Sequence, residues 1–304
     1  MPKTILFPVT NRVHLPRQKL LIEELERVGI QVLTPHYPVG SGDMAERALQ
    51  VMAAAEQTIK GGDLVLIRGD RFEMLPFAMV AAYRGIQVAH IEAGDLSGAI
   101  DNKVRHAISE LCDYWFPTNE MAYARLARMD VPQERMWNFG SLDVEVAARH
   151  KPEKVLTEPY IVFAFHPVDN ELEEDVRMWI QGPAEGRRIV HIRSNGDYAR
   201  PQVMGEEFKG DKYLDLIAGA DLLVGNSSSF LKEASVYKTP VVNVGNRQRR
   251  RLMPAHVLSV PYAAEQVAHG MMAQLQRVRH EIESPYYQEG TAAKIAGKIK
   301  EILS

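Results

Sequence analysis

The chain of 304 residues has a formal net charge of −3, with 46% hydrophobic and 25% charged residues. This length exceeds what one hydrophobic core usually organises, and the composition excludes a fibrous or largely disordered protein, so two globular domains are expected. Without excess positive charge, nucleic acid is excluded as a partner, and an anionic ligand would need a local site.

Cysteine content and hydropathy exclude several further classes of protein. Cys112 is the only cysteine, so an intrachain disulfide and a multi-cysteine zinc site are excluded, and a cytoplasmic location is expected. The first apolar run is about six residues long, too short for a signal peptide, and no other run approaches a membrane span. We therefore expect no membrane partner.

The first half of the chain alternates short apolar runs with amphipathic segments. Unbroken apolar strands interleaved with helices indicate a parallel sheet covered on both faces, a doubly wound α/β domain. The predicted strands are Thr4–Val9, Leu64–Ile67, Val88–Ile91 and Tyr114–Thr118, and the predicted helices lie near 16–28, 73–83, 98–111 and 120–129.

The same pattern restarts after the charged segment 149–159, which contains two prolines and is expected to be a linker. We therefore predict domains at 1–152 and 153–304, and expect the last helix to cross back to the first domain. Predicted strands of the second half are 160–165, 188–192, 222–224, 241–244 and 257–260, with helices near 212–219, 229–237, 264–281 and 291–304.

Ionisable side chains follow several of the predicted strands. Asp70 and Glu92 come after two strands of the first half, and His166 comes after a strand of the second half. In open α/β sheets, ligands bind beyond the carboxyl ends of the strands. We expect a cleft between the domains to bring these three side chains together.

The segment GNSSSFLKEA, 225–234, opens a predicted helix directly after an apolar run. Exposed N–H groups and the hydroxyls of Ser227, Ser228 and Ser229 at a helix amino terminus would suit a phosphate or diphosphate. Glu233 does not fit a capping box, so its carboxylate would be available to a ribose. A serine-rich helix cap without a ligand is the alternative.

Three further features have both a functional and a structural interpretation. Four arginines in NVGNRQRRRL, 243–252, would suit phosphate, or would lie in a solvated loop. Asp101 and Arg105, one helical turn apart, would face the cleft or form a surface ion pair. His166, before Pro167, would transfer a proton near neutral pH or donate to a leaving phosphate, or would be a structural histidine.

Taken together and in this order, five motifs resemble those of the hydrolysing UDP-N-acetylglucosamine 2-epimerases of the sialic-acid pathway. The motifs are GDRFE, HIEAGDLSGAIDNKVRHAISEL, FHP, GNSSSFLKEA and GNRQ, between about residues 62 and 262. The resemblance implies a GT-B type fold, with two Rossmann-like domains facing each other across a cleft. It also implies a homodimer or tetramer and no cofactor or metal.

The resemblance implies that UDP is eliminated across C1 and C2 of the sugar to give a glycal, and that water then adds to give N-acetylmannosamine. Matching positions would make Asp70, Glu92 and Asp101 acid/base carboxylates and Arg105 a cleft cation, and would place His166 near the leaving diphosphate. The positions expected to bind the nucleotide sugar are Arg12, Arg71, Asn195, Asn226, Ser227, Ser228, Ser229, Glu233, Arg247 and Arg251.

The chemistry itself requires these residue types. Removal of the C2 proton needs a base, and protonation from the other face needs a separate acid, so several carboxylates are expected. Three alternatives remain. The donor could be a GDP-linked or 2,4-diacetamido sugar, the chain could be a catalytically silent nucleotide-sugar binding protein, or it could be a glycosyltransferase of the same fold.

Overall fold

The chain divides into two compact units in a computed structural model. Unit 1 contains the chain up to Leu96, the segment that ends at Glu145, and Gln288–Ser304, whereas unit 2 contains Val146–Tyr287. This boundary lies a few residues before the charged segment in which the linker was expected. The structure describes residues 2–9, 14–36, 42–96, 101–168, 170–192, 208, 210–279 and 283–304.

Unit 1 is built on a five-stranded parallel sheet with the strand order β2-β1-β3-β4-β5. Central strand β3 is buried on both faces, since Val65 and Ile67 belong to one hydrophobic cluster and Leu64 and Leu66 to another. The strands are β1 Thr4–Leu6, β2 Gln31–Leu33, β3 Leu64–Arg68, β4 Gln87–Ile91 and β5 Tyr114–Phe116.

Helices cover both faces of this sheet. They are α1 His14–Arg27, α2 Met44–Thr58, α3 Met74–Tyr83, α4 Asp101–Glu110, α5 Glu120–Ala127 and α6 Leu142–Arg149, which spans the unit boundary. A short 3₁₀ turn, Gln133–Arg135, follows α5. Strand β2 and helices α2 and α6 were not predicted from the sequence.

The last helix of the chain, Thr291–Ile302, belongs to unit 1 and packs against α1. Its apolar face buries Ile295 and Ile299 in the same cluster as Leu21. The amino terminus of this helix is held by Glu145, whose Oε2 accepts from the Ala292 N–H at 2.7 Å. A buried carboxylate thus satisfies a donor that has no partner inside the helix.

Unit 2 has a second five-stranded parallel sheet, with the order β10-β9-β8-β6-β7. Read from the opposite edge, this is the strand order of unit 1. The strands are β6 Tyr160–Ala164, β7 Arg188–His191, β8 Leu222–Gly225, β9 Val241–Val244 and β10 Val257–Val260. The helices are α7 Glu173–Trp179, α8 Asp211–Gly219, α9 Ser228–Leu231, α10 Ala234–Tyr237 and α11 Ala264–Leu275, so that the helix of residues 291–302 is α12.

Two predicted helices of unit 2 differ from the structure. The helix expected at 264–281 ends at Leu275, and that expected at 229–237 is two four-residue helices, α9 and α10. Between these, the carbonyl of Lys232 accepts from both the N–H and the hydroxyl of Ser235. A serine that bonds to the nearby main chain in this way competes with the regular helical pattern.

Neither a membrane span nor a metal cluster is found in the described ranges. Within those ranges, no helix is both long enough and apolar enough to span a membrane. Among the same residues, histidine, cysteine and carboxylate side chains form no group of three or more suited to a metal ion.

Two histidines are buried as structural parts of the units. His90 Nε2 donates to the Gly69 carbonyl at 2.9 Å, and its Nδ1 accepts from the Ser109 hydroxyl at 3.0 Å. His256 Nε2 donates to the Phe230 carbonyl at 2.9 Å. Burial lowers the pKa of each ring to about 4, so both rings are neutral at pH 7.

Because the pKa values of these two histidines are lowered, we expect the folded protein to lose stability in acid. Unfolding returns each ring to a pKa of about 6.5, so the unfolded chain binds more protons between about pH 6.5 and 4, and stability falls as the pH falls through that window. Each ring contributes a slope of about 1.4 kcal/mol per pH unit. Urea unfolding of His256→Gln should show a slope smaller by about one proton, whereas His269→Gln, which changes an exposed ring, should keep the full slope. An unchanged slope in His256→Gln would contradict this assignment.

Candidate active site

Two carboxylates lie at the same edge of the unit 1 sheet. Asp70 follows β3 and Glu92 follows β4, and these strands are hydrogen-bonded neighbours in parallel register. The Gly69 N–H donates to the Ile91 carbonyl at 3.0 Å, which ties the two strand ends together. The structure thus brings together two of the three carboxylates that the sequence identifies.

The guanidinium of Arg105 is buried beside both carboxyl-bearing residues. Its side chain is 2% exposed, and it donates to Asp70 Oδ2 and to the Glu92 main-chain carbonyl. Burial lowers the pKa of Arg105, but Asp70, Asp95 and Glu92 outweigh burial and leave the pKa raised. The buried side chain therefore stays charged, and the alternative of a surface ion pair does not describe it.

Asp101 is the first residue of α4 and is half-buried, one turn before Arg105 on the same helix. A carboxylate in the first helical turn is stabilised by the helix dipole. The helix therefore carries one candidate carboxylate and one candidate cation, as the sequence predicts.

Arg71 is engaged by a neighbouring carboxylate. Its Nε and Nη2 donate to Glu73 at 3.1 and 2.9 Å, and Glu73 is 1% exposed. Arg47 lies 3.6 Å from the same carboxylate and stacks over the Phe72 ring. These contacts hold the turn that leads into α3.

Sequence reasoning missed two polar residues of this region, Arg68 and His90. Arg68 is the last residue of β3, and it contacts Glu92 and Asp143 with its guanidinium. His90 joins Ser109 of α4 to Gly69, and so links α4 to the strand end that carries Asp70. The available signal was a charged or titratable residue at or near the end of an otherwise apolar strand.

In unit 2, Asn226 joins the ends of β6 and β8. Its Oδ1 accepts from the His166 N–H at 2.7 Å, and its Nδ2 donates to the His166 carbonyl at 3.0 Å. Gly225, with φ of +136°, precedes it, and a Cβ there would lie 2.0 Å from the Ala164 carbonyl oxygen. The fully buried Asn226 amide thus contacts the His166 main chain, and it reaches that partner only because the glycine permits the close approach.

The arginine-rich loop is attached to the same asparagine. Arg247 Nη1 and Gln248 Nε2 donate to the Asn226 main-chain carbonyl at 2.9 and 2.7 Å. His166, Asn226 and Arg247, three residues identified from the sequence, are therefore brought together at adjacent strand ends. Arg251 lies further along the loop and is half-buried.

The ring of His166 is neutral with these neighbours. Burial, and after it the charge of Arg247, lowers the pKa of His166 to about 3. Proton transfer near neutral pH, as expected from the sequence, therefore needs a nearby anion that raises this pKa. As a neutral ring, His166 can still donate a hydrogen bond.

The serine loop differs in detail from the expected helix amino terminus. Ser227 and Ser228 are half-buried, whereas Ser229 is 6% exposed and its hydroxyl lies 2.6 Å from that of Tyr213. Because α9 has only four residues, its dipole is weaker than that of a longer helix. Glu233 is buried between α9 and α10. Two further predicted residues, Arg12 and Asn195, lie outside the described residues.

Two curated proteins are similar in sequence to this chain. A relative from Neisseria meningitidis serogroup B, a UDP-N-acetylglucosamine 2-epimerase, is 31% identical over 67% of this chain, and the match spans 61% of the relative's own length. A relative from Legionella pneumophila, a UDP-N,N'-diacetylbacillosamine 2-epimerase (hydrolyzing), is 28% identical over 79% of this chain and 71% of the relative.

A comparison with solved structures supports the fold. The structure of the Methanocaldococcus jannaschii UDP-GlcNAc 2-epimerase in complex with UDP-GlcNAc and UDP superposes with a TM-score of 0.80 at 17% identity, covering 99% of this chain and 100% of that one. The expected α/β fold of GT-B type, with two Rossmann-like domains, is confirmed. A family model described as UDP-N-acetylglucosamine 2-epimerase matches residues 23–300. The chain belongs to the UDP-N-acetylglucosamine 2-epimerase family.

Proposed function

We propose that the chain is a hydrolysing 2-epimerase, which converts UDP-N-acetylglucosamine and water to N-acetylmannosamine and UDP. The observation that carries the proposal is the pair of carboxylates at adjacent strand ends, Asp70 and Glu92, each in contact with a different buried arginine. Acid/base chemistry at one carbon needs carboxylates held in distinct environments. The name of the Legionella relative supports the hydrolysing form of the reaction.

The first half of the reaction is an elimination. A carboxylate removes the proton from C2, the C2–H electron pair forms the C1–C2 double bond, and UDP leaves C1 with the electrons of the C1–O bond. Asp70, Glu92 and Asp101 are the proposed acid/base groups in this half and the next. The buried cation Arg105 keeps its neighbouring carboxylate in place.

The second half is hydration of the glycal. The oxygen of water bonds to C1, and a proton is delivered to C2 from the face opposite to the one that lost it, which inverts C2. Free N-acetylmannosamine then leaves, and no step requires a redox change. General acid/base groups placed in this way contribute about 10²- to 10⁴-fold each to such rates.

The diphosphate is assigned to residues of unit 2. Arg247 offers a guanidinium suited to phosphate oxygens, and the neutral His166 ring offers an N–H donor beside it. The half-buried Ser227 and Ser228 would add hydroxyl donors. Phosphate near His166 would raise its pKa, so that this ring could protonate the departing UDP.

A second candidate keeps the reaction and changes the sugar. The relative that acts on a 2,4-diacetamido sugar nucleotide, the Legionella enzyme, matches 79% of this chain, against 67% for the Neisseria relative. A UDP-linked 2,4-diacetamido sugar is therefore the alternative donor. The homo-oligomeric state, the cytoplasmic location and the place in sialic-acid synthesis stay predictions.

The function is tested by incubating the protein with UDP-N-acetylglucosamine in D₂O and following the sugar by proton NMR. We expect free N-acetylmannosamine with deuterium at C2, together with UDP, because both the elimination and the inversion exchange the C2 proton with solvent. UDP-N-acetylmannosamine as the product would contradict hydrolysis. Turnover only of the 2,4-diacetamido donor would select the second candidate, and binding of UDP without turnover of either donor would contradict both.

A substitution at Asp101 tests catalysis separately from nucleotide binding. Asp101→Asn should reduce turnover by about 10²-fold or more, since it removes a proton-transfer group. The dissociation constant of UDP, measured by calorimetry, should stay within about twofold because Asp101 is not among the residues proposed to bind the diphosphate. Lys103→Ala, an exposed change on the same helix, is the matched control and should turn over normally. Retained turnover in Asp101→Asn would reject the assignment.

A further inference from the structure

Arg68 is a buried cation that the proposed reaction has not yet used. Its side chain is 9% exposed, and its Nε and Nη2 donate to Glu92 Oε1 at 3.2 and 2.8 Å. The same Nη2 lies 2.7 Å from Asp143 Oδ1. The Glu92 and Asp143 side chains are themselves only 12% and 8% exposed.

Asp143 is the second carboxylate that contacts the guanidinium. It lies in the first turn of α6, where the helix dipole stabilises a carboxylate. The rigid fork of an arginine can bridge two carboxylates with separate N–H groups, which a lysine ammonium does with less geometric definition. Arg68 is therefore fixed between a candidate catalytic residue and an anchor on a different element.

The main chain of Glu92 is constrained as well. Its φ of +62° lies in the left-handed region, which non-glycine residues rarely adopt. Its N–H donates to the Phe116 carbonyl at 3.0 Å, and its own carbonyl accepts from Arg105. Strained main chain held by surrounding contacts often marks a functional site.

We propose that Arg68 is a positioning residue for Glu92, an inference that rests on the proposed function. Arg68 aims the Glu92 carboxylate and keeps it ionised, so that it is ready to accept a proton, and Asp143 anchors the guanidinium that does this. Arg68 itself does not touch the reacting atoms.

The charge balance of the cluster agrees with this role. Burial lowers the pKa of Arg68, but the charges of Asp143 and Glu92 outweigh burial and leave the pKa raised, so the guanidinium stays charged. Replacing Arg68 with an uncharged residue would leave two poorly solvated carboxylates without their shared cation. Each carboxylate would then bind a proton more readily.

The first test does not depend on turnover. The protein is labelled with ¹³C at glutamate carboxyl groups, and the Glu92 signal is assigned as the one lost in Glu92→Gln. In Arg68→Met, the apparent pKa of Glu92 should rise by about 1 to 3 units above that in the parent chain, and Arg68→Lys should restore part of the difference. Equal titration in the parent chain and in Arg68→Met would overturn the proposal.

The second test uses the pH profile of kcat/KM, once the parent chain is shown to turn over. In Arg68→Met, the acidic limb should move to higher pH by the same amount as the Glu92 titration, with UDP affinity unchanged, and Arg68→Lys should move it back. A uniform loss at every pH without a shift would indicate a merely structural role and overturn the proposal. If the parent chain does not turn over, the proposed function fails, and the titration alone decides the role of Arg68.

A matched control separates this effect from the general loss of an ion pair. Arg187 forms a partly exposed pair with Asp221 in unit 2, at 3.0 Å. Arg187→Met should leave both the Glu92 titration and the pH profile unchanged. Folding of Arg68→Met is checked by circular dichroism. Asp143→Asn provides a second variant, which removes a negative charge beside Arg68 and leaves the guanidinium charged, so the apparent pKa of Glu92 should fall. An unshifted Glu92 titration in a folded Asp143→Asn would show that the two carboxylates do not share Arg68, and would reject the role of Asp143.

Discussion

The burial of two guanidinium groups at the carboxyl ends of β3 and β4 constrains the whole candidate site in unit 1. Arg105 is 2% exposed and Arg68 is 9% exposed. A charge removed from water costs several kcal/mol unless an opposite charge and hydrogen bonds compensate it. Asp70, Glu92 and Asp143 supply that compensation, so these carboxylates have fixed positions for structural as well as chemical reasons. This explains why two buried strands are followed by ionisable side chains.

Unit 2 has a neutral side chain at the comparable junction between strand ends. There the side-chain amide of Asn226 bridges the ends of β6 and β8, and the Asn226 main-chain carbonyl accepts from Arg247 and Gln248. Both sheets have the same strand order, and β6 and β8 flank the point where that order reverses. Open α/β sheets bind ligands at such a point. The two units therefore share a topology and differ in the chemistry at their strand ends: carboxylates follow β3 and β4 in unit 1, whereas hydrogen-bond donors lie at the ends of β6 and β8 in unit 2.

Much of the fold could be predicted because its signals are local. The apolar runs of β3 and β6 identify buried strands by themselves, and each is followed within two residues by an ionisable side chain, Asp70 after β3 and His166 after β6. Strand β2 was missed because it has only three residues and is partly exposed. Helix α2 did carry a signal, since Asp43 and Glu46 form a capping box at its start.

The roles of single site residues were harder to predict because their partners are distant in sequence. Asn226 looks like a ligand-binding residue in its serine-rich motif, yet its amide contacts the His166 main chain, 60 positions away. In the sequence, Arg68 looks like the polar end of a strand, and only the structure shows that Asp143 contacts its guanidinium. Residue type and spacing identified the candidate carboxylates, whereas burial and partners required the fold.

The most direct test of the central claim, that buried arginines fix the carboxylates, is a double-mutant cycle on the free energy of unfolding with Asp70→Asn and Arg105→Met. Removing one partner of a buried pair costs roughly 3–5 kcal/mol because the other charge is left without compensation. We expect the double variant to lose less stability than the two single variants together, with a coupling of at least about 1 kcal/mol. Additive losses would show that Arg105 and Asp70 do not depend on each other, and would contradict this account of the site.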